Sequence, residues 1–483
     1  MTQPGTRLVL AIVARINDYQ ADLLHGLRSV FTEYDIPLVV HVDDPLINRL
    51  PPSLIRLLRH ERIGGVVTSA ATGAAQERQL IELTRSLDIP RVHIGQDVED
   101  STCVHADNTT GMRDLMAHLL DECGITRPVL VRGNSHQSDS IARESVFLDE
   151  LAKRSIPLDE ELVLDGRFDR DITYQAMHRL LERRQDMDAV VALNDPSALG
   201  AMAALREGGF RIPTDVAVAG FDNAETAMVA WPGLTTVDQD AEGQGATAAR
   251  LLIEQMTDRR QHLPVVIPSH LVVRGSTAAR VRPDVRDPAT GAQEPAAAAV
   301  LAHAAQLQLA AGEAALAAGR SLARCRTIRE IVSALSYRLD GLGIDRCFLA
   351  LYEHPEHGEA SPDGCERARV VLDYRYGRNQ VPPTESFPTD LLLPDSLRPE
   401  LDSGVLILQP LSTSDHDFGY VLFELTRGLS AAADVMQLDL IHAFEVVTVK
   451  ETLDRQNGRL RRLVLRTEQL ERELELRAQT AEG

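Results

Sequence analysis

Residues 189–237 read AVVALNDPSALGAMAALREGGFRIPTDVAVAGFDNAETAMVAWPGLTTV, and this stretch decides the fold. Ala189 to Leu193 is a short apolar run, the pattern of a strand buried on both faces. Asn194 and Asp195 fall where that strand ends. Pro196 suits the first turn of a helix, which needs no N–H there. Leu199, Met202, Ala203 and Leu205 give that helix an apolar side, and Gly208-Gly209 stop it. A second apolar run, Val216 to Ala219, leads into Gly220-Phe221-Asp222-Asn223. Two strand–loop–helix units therefore stand in tandem. Each sets polar side chains at a strand's carboxyl end, where open α/β sheets bind ligands.

Outward from this stretch the alternation continues. Strands are expected at Leu8–Arg15, Ile36–Val42, Gly64–Thr68, Arg91–Ile94 and Pro128–Arg132. Helical patterns separate them, at 20–33, 50–60, 75–87, 110–123 and 143–154, and a further helix spans 243–257. Such spacing predicts βαβ units and a parallel sheet. Asp107-Asn108 precedes the fourth of these helices, with Asn108 or Thr109 as its expected cap.

NDPSALGAMAALREGGFRIPTDVAVAGFDN, then PGLTTV and the closing LVVRGST at 271–277, resembles the ligand-binding domain of LacI-like transcriptional regulators. The resemblance runs from about Thr6 to Thr277. It implies a two-lobed domain of the type I periplasmic-binding-protein kind with parallel sheets. One lobe is expected at 6–125 plus 238–260 and the other at 128–235 plus 265–277. In that family a helix-turn-helix would precede Thr6, where this sequence has five residues. Val146 stands where the family carries glycine.

The chain has 483 residues, enough for two or three domains. Its net charge of −21 disfavours broad contact with nucleic acid or anionic lipid. No apolar run reaches the length of a membrane span, and Leu8–Ala14 reads as a first core strand rather than a signal peptide. Five scattered cysteines form no CxxC pair and read as reduced thiols of a cytoplasmic protein.

Residues 281–296 carry three prolines and read as a linker. An alanine-rich helix is expected at 297–326. Beyond it, 327–445 alternates helix and strands in an order that resembles a GAF domain, an α+β module flanked by long helices. Val446, Leu453, Leu460 and Leu474 share one heptad register, and Val449, Leu463 and Leu470 another. A coiled coil at 446–478 follows from this.

A hinged domain closes on its ligand and desolvates the ligand's hydroxyls, which then need carboxylate, amide or arginine partners. By position, the resemblance marks Arg143, Asn194 and Asp222 as ligand contacts. Asp195 either touches ligand or caps the helix behind it. Asn17 and Tyr19 fall in the family's first ligand loop. Phe221 and Trp231 offer rings for stacking, with loop packing the plainer role for Trp231, and Gln239 lies near a crossover.

His354 and His357, among Glu353, Glu356 and Glu359, read as a charged surface loop rather than a metal site, because no second ligand pair completes one. Asp415-His416-Asp417 reads as a turn. No nucleophile elbow, phosphate loop or HExxH occurs, so no enzyme, cofactor or metal is expected.

The first expectation is a cytoplasmic sensor. It binds a sugar, nucleoside or related metabolite, pairs as a homodimer and signals to an output domain or partner. The alternative is a LacI-type transcriptional regulator without its own DNA-binding domain, acting through another protein.

Overall fold

A computed structural model describes residues 8–13, 16–42, 50–59, 62–69, 74–258, 264–278, 312–314, 316–353, 367–389, 391–402, 404–413, 416–424, 436–450, 457 and 466. Several expectations lie outside the described residues. These are the linker at 281–296, the alanine-rich segment before 312, His354 and His357 with their glutamates at 356 and 359, Asp415, and the heptads beyond 450 apart from 457 and 466. Residues 312–314 and 316–322 are helical, as are 436–450.

The first lobe alternates β1 (Leu8–Val13), α1 (Asp18–Glu33), β2 (Leu38–Val42), α2 (Pro52–Leu58), β3 (Ile63–Ser69), α3 (Ala74–Ser86), β4 (Arg91–Ile94) and β5 (Thr102–Ala106). Its strands pair in parallel, order β5-β4-β3-β1-β2. Val9, Ala11 and Val13 point to one face, Leu8, Leu10 and Ile12 to the other, and both sets are buried. That is why these strands read as unbroken apolar runs.

The second lobe holds α4 (Asn108–Ala117), β6 (Pro128–Arg132), α5 (Ser138–Lys153), β7 (Val163–Asp165), α6 (Arg170–Leu181), β8 (Ala189–Ala192), α7 (Asp195–Glu207), β9 (Ala217–Ala219) and α8 (Glu225–Val229). Its four-stranded sheet runs β7-β6-β8-β9, all parallel. The chain then makes β10 (Thr236–Asp238) and α9 (Ala241–Asp258). It ends the domain with β11 (Val265–Ile267), β12 (His270–Val272) and α10 (Gly275–Ala278). Helix α9 returns to the first lobe against α1. The two helices touch through glycine: a Cβ on Gly26 would sit 2.0 Å from the Glu242 carbonyl, and one on Gly245 2.1 Å from that of Leu23.

Two lobe assignments need correction. Helix α4, expected in the first lobe, buries Met112, Leu115 and Met116 in the second lobe's core with Phe147 and Val191. Strand β11, expected in the second lobe, pairs in parallel with β5 at the edge of the first sheet. Periodicity shows which face of an element is apolar but not which core receives it. The cap of α4 is also different: Asp107 accepts from the Thr110 amide at 2.9 Å.

Past residue 316 an antiparallel module follows. It comprises a helix at Ile328–Leu339, β13 (Arg346–Glu353), β14 (Arg367–Arg375), β15 (Arg378–Asn379), β16 (Phe387–Pro388), β17 (Val405–Ser412) and β18 (Asp417–Glu424). Strand order is β17-β18-β13-β14, with β15 and β16 both on β14. The module does not stand apart. Strand β17 pairs in parallel with β2, Val405 opposite Leu38 through Leu408 opposite His41, so that both domains share one 12-stranded sheet. The cores on both faces are shared too: Val40 and Phe31 lie with Ile407 and Phe444, and Leu54 and Val39 with Leu401 and Leu408.

His41 sits inside this junction, fully buried, with neither ring nitrogen hydrogen-bonded. Burial pushes its pKa down to about 4. The unfolded chain holds histidine near ~6.5 and so takes up the proton first as pH falls. Stability from the neutral ring is whole above pH ~6.5 and is lost between ~6.5 and the folded value, by roughly 3 kcal/mol in all. His41→Leu is expected to flatten that loss, measured as urea unfolding at pH 7 and pH 4.5. An unchanged pH slope sinks this account.

Candidate functional site: the hinge cleft

Among the described residues of the two-lobed domain, the chain passes between lobes at Asp107–Asn108, between β10 and α9, and between β11 and β12. The polar cluster is built at the first two of these crossings, around Arg143 on α5. Arg143 is 3% exposed. Its Nε donates to Asn108 Oδ1 at 2.8 Å, Nη1 to the Leu193 carbonyl at 2.7 Å, and Nη2 to Gln239 Oε1 at 3.3 Å. Nη1 is also 3.6 Å from Asp222 Oδ1. The guanidinium lies 3.7 Å over the Phe221 ring. A charge this deep persists only when paired and hydrogen-bonded, and here the planar fork binds the first two crossings at once.

Around that hub stand acceptors and amides. Gln239 Nε2 donates to Asp222 Oδ1 at 2.6 Å. Gln244, buried on α9, donates to the Gln239 carbonyl at 2.7 Å and accepts from the Tyr19 hydroxyl at 3.5 Å. Asn108 Nδ2 donates to Asp139 Oδ1 at 2.7 Å. Gly95 of the first lobe faces Asp139 of the second: a Cβ there would lie 2.9 Å from Asp139 Oδ2 and 4.0 Å from the Tyr19 hydroxyl. Its φ of +70° is one that glycine adopts without cost.

Tyr19, Asp139, Asp222 and Arg143 therefore share one space. Burial, then the charges of Asp139 and Asp222, raise the Tyr19 phenol pKa. Burial also holds the Asp222 carboxyl well above its ordinary range, against the pull of Arg143. Asp222 has φ 130° and Asn223 φ 57°, uncommon for residues with side chains. The loop is pinned there by the Asp222 amide donating to the Val237 carbonyl and the Asn223 amide to Thr236 Oγ1.

The other expected residues divide. Asn194 caps α7, accepting from the Ser197 amide at 3.1 Å, and its Nδ2 donates to the Phe168 carbonyl. Asp195 is fully buried and clamps the next loop, accepting from Thr236 Oγ1 at 2.6 Å and the Ala224 amide at 2.9 Å. Burial raises its pKa to about 6. Asn17 caps α1 through the Gln20 amide. Phe221 is wholly buried beneath Arg143, so its ring serves the core. Trp231 is 84% exposed.

Asn108, Asp139 and Gln244 had no place among the expected contacts. Each reads as an ordinary helix or cap residue, and only tertiary packing turns it into the cluster. Among the described residues no group of His, Cys, Asp and Glu is placed to hold a metal ion. None of the described helices is long and apolar enough to cross a membrane.

The family model for a periplasmic binding protein-like domain matches residues 116–277. The HTH-type transcriptional regulator CelR of Thermobifida fusca is 31% identical over 230 residues, covering 45% of this chain and 67% of the relative. The chain belongs to the LacI family of regulators. A second LacI-type relative, the HTH-type transcriptional repressor PurR of Vibrio atlanticus, is 31% identical over 206 residues, covering 42% of this chain and 61% of that one. The chain thus spans roughly two thirds of the length of these curated relatives. The solved CelR–cellobiose complex superposes with TM-score 0.51 at 27% identity, over 57% of this chain and 86% of that one. CcpA of Lactococcus lactis, TM-score 0.51 at 20% identity over 56% and 99%, shares the fold. These LacI-family relatives are transcriptional regulators. They favour the regulator expectation over the signalling sensor.

Proposed function

We propose that this chain is a ligand-responsive regulator of LacI type, and that its hinge cleft takes a small, hydroxyl-rich molecule such as a sugar or nucleoside. The observation that carries this reading is the Tyr19–Asp139–Asp222 lining set against the Arg143 network that ties two crossings together. A ligand seated there touches both lobes and the hinge, so it binds one lobe angle better than another and shifts their balance. The relative named as a CelR–cellobiose complex supports a carbohydrate as the first class to try.

The response then passes to the α+β module that shares the first lobe's sheet, which is GAF-like in the order of its elements. The net charge of −21 disfavours broad DNA contact, and this reading has regulation run through a partner protein.

One contact between lobes gives a specific handle. Asp18 on α1 accepts from Thr226 on α8, from the amide at 3.2 Å and the hydroxyl at 2.6 Å. The test is a thermal-shift screen of the full chain against sugars, nucleosides and small metabolites. Ligand at 100 times its Kd adds about 2.7 kcal/mol to the domain that binds it. Asp18→Ala is expected to weaken the same ligand roughly fivefold, about 1 kcal/mol, by loosening closure of the lobes. A panel with no hit, neutral or charged, rejects the reading.

A further inference from the structure

A second polar cluster stands where α4 runs out. The chain continues from α4 into a π-turn over His118–Glu122, closed by the Cys123 amide donating to the His118 carbonyl at 3.0 Å. In an α-helix the side chains that meet are three and four apart. The wider π-turn brings the fifth to the same side, and Cys123 Sγ lies 3.6 Å from His118 Nε2. Glu122 sets Oε2 2.7 Å from the other ring nitrogen, Nδ1. An ionised carboxylate only accepts, so Glu122 fixes the ring proton on Nδ1 and leaves Nε2 a lone pair. Two donors reach that lone pair, the Cys123 thiol and the Thr277 hydroxyl, the latter at 2.9 Å. The Thr277 hydroxyl has another acceptor in Thr235 Oγ1 at 2.7 Å, and Thr235 donates in turn to the Arg274 carbonyl at 3.1 Å. Its proton therefore has a route of its own, and Nε2 is left to take the proton of the thiol.

Surroundings separate Cys123 from the other described cysteines. Cys103, Cys325 and Cys347 are buried, and burial pushes all three thiols up. Cys123 is partly open to solvent, the Glu122 side chain is 43% exposed, and the His118 ring is buried. A reachable thiol, a base against it and a carboxylate orienting that base are the parts of an activated nucleophile.

We propose that Cys123 is a covalent modification site, a thiol activated by His118 and Glu122 that hydroperoxides oxidise to a sulfenic acid. This goes beyond the ligand-binding reading and does not rest on it. The thiol proton passes to His118 Nε2, and Glu122 stabilises the imidazolium that forms. The thiolate sulfur attacks the terminal oxygen of the peroxide. An S–O bond forms and the O–O bond breaks; sulfur gives up two electrons and the peroxide is reduced by them. The leaving alkoxide, or hydroxide from hydrogen peroxide, takes the proton from His118 and departs as an alcohol or water. Glu122 acts only through the ring and is the positioning residue of the set. The new oxygen arises beside Thr277, whose carbonyl is 3.9 Å from Sγ and which lies on α10, the last element of the two-lobed domain.

The experiment uses the full chain at pH 7. One arm is hydrogen peroxide with dimedone, which traps sulfenic acids; the other is iodoacetamide alone. Both are read peptide by peptide by mass spectrometry. Free cysteine is only a few per cent thiolate at neutral pH, so Cys123 is expected to react about tenfold faster than free cysteine with either reagent, and ahead of Cys103, Cys325 and Cys347. Replacing the buried His118 would disturb its contact with Thr277, so Glu122→Gln carries the test. The amide keeps an oxygen for Nδ1 but removes the charge that favours the imidazolium, and the rate at Cys123 is expected to fall at least ~3-fold with an unchanged circular-dichroism melt. A merely structural role would loosen the turn, expose the sulfur and speed the reaction, which overturns the proposal. A Cys123 no faster than free cysteine, or a rate unmoved by Glu122→Gln, overturns it as well.

Discussion

Replacing Arg143 by alanine is expected to lower the unfolding free energy by about 3–5 kcal/mol, the cost of breaking a buried charge network from one side. The loss is not confined to one bond. Asn108 Oδ1, the Leu193 carbonyl and Gln239 Oε1 would all lose a donor, in a region with little water to replace it. Asp222 would lose the one neighbouring cation that favours its ionised form, and its carboxyl pKa would rise further. Phe221 would lose the guanidinium packed on its face. Because the fork joins Asn108 and Gln239 at two separate crossings, ligand response is expected to vanish together with stability. Arg143→Lys is not expected to rescue, since an ammonium cannot reach three acceptors in one plane. Urea unfolding and calorimetry of wild type and both variants check this. A loss below ~1 kcal/mol for the alanine variant would show that the network is not the hinge's support.

The second large effect concerns the junction of the two domains. A chain ending at Ala278 would keep every element of the two-lobed domain but leave β2 without β17. The edge Leu38–Val42 would then present unpaired backbone groups, a template for aggregation. The faces that Ile407 and Phe444 cover on one side, and Leu401 and Leu408 on the other, would meet water. Each fully buried side chain of that kind is worth ~1.5–3 kcal/mol, so the deficit is on the order of 5 kcal/mol or more. The shortened chain is expected to melt at least ~10 °C below the full chain or to aggregate on size exclusion. In the full chain the first lobe and the antiparallel module should unfold in one transition. A shortened chain that is monodisperse and melts at the full-length temperature would show that the shared sheet adds nothing.

That junction has a consequence for regulation. With lobe one and the module on a common sheet, closure of the cleft is movement of the second lobe against everything else. Asp18 and Thr226 join the lobes.

Much of the two-lobed domain was legible from local signals. The runs at Leu8, Leu38, Arg91, Pro128 and Ala189 are strands because both sheet faces are buried. The Asn194-Asp195-Pro196 turn starts a helix because each residue type satisfies the first turn in its own way. Arg143, Asp222 and Tyr19 were marked by position in a family pattern and Gln239 by its place near a crossover, and the structure brings those four together. Asn194, Asp195 and Asn17 were marked as well, Asp195 as either contact or cap, and in the structure their side chains make caps and loop clamps. A cap and a ligand contact use the same residue types at the same strand end, so spacing alone does not separate them.

What the sequence by itself determined is many of the strands and helices of the two-lobed domain and the tandem strand–loop–helix units of the second lobe. These follow from periodicity, capping and composition, which act over a few residues. Only the tertiary structure decided that α4 packs in the second lobe and β11 in the first, that Asn108, Asp139 and Gln244 complete the hinge cluster, and that β17 extends β2 into one sheet. The physical reason is that burial on an apolar face is indifferent to which partner supplies it. The Leu38–Val42 strand reads the same whether its outer edge meets solvent or a strand more than three hundred residues away, and the choice is made when the cores close.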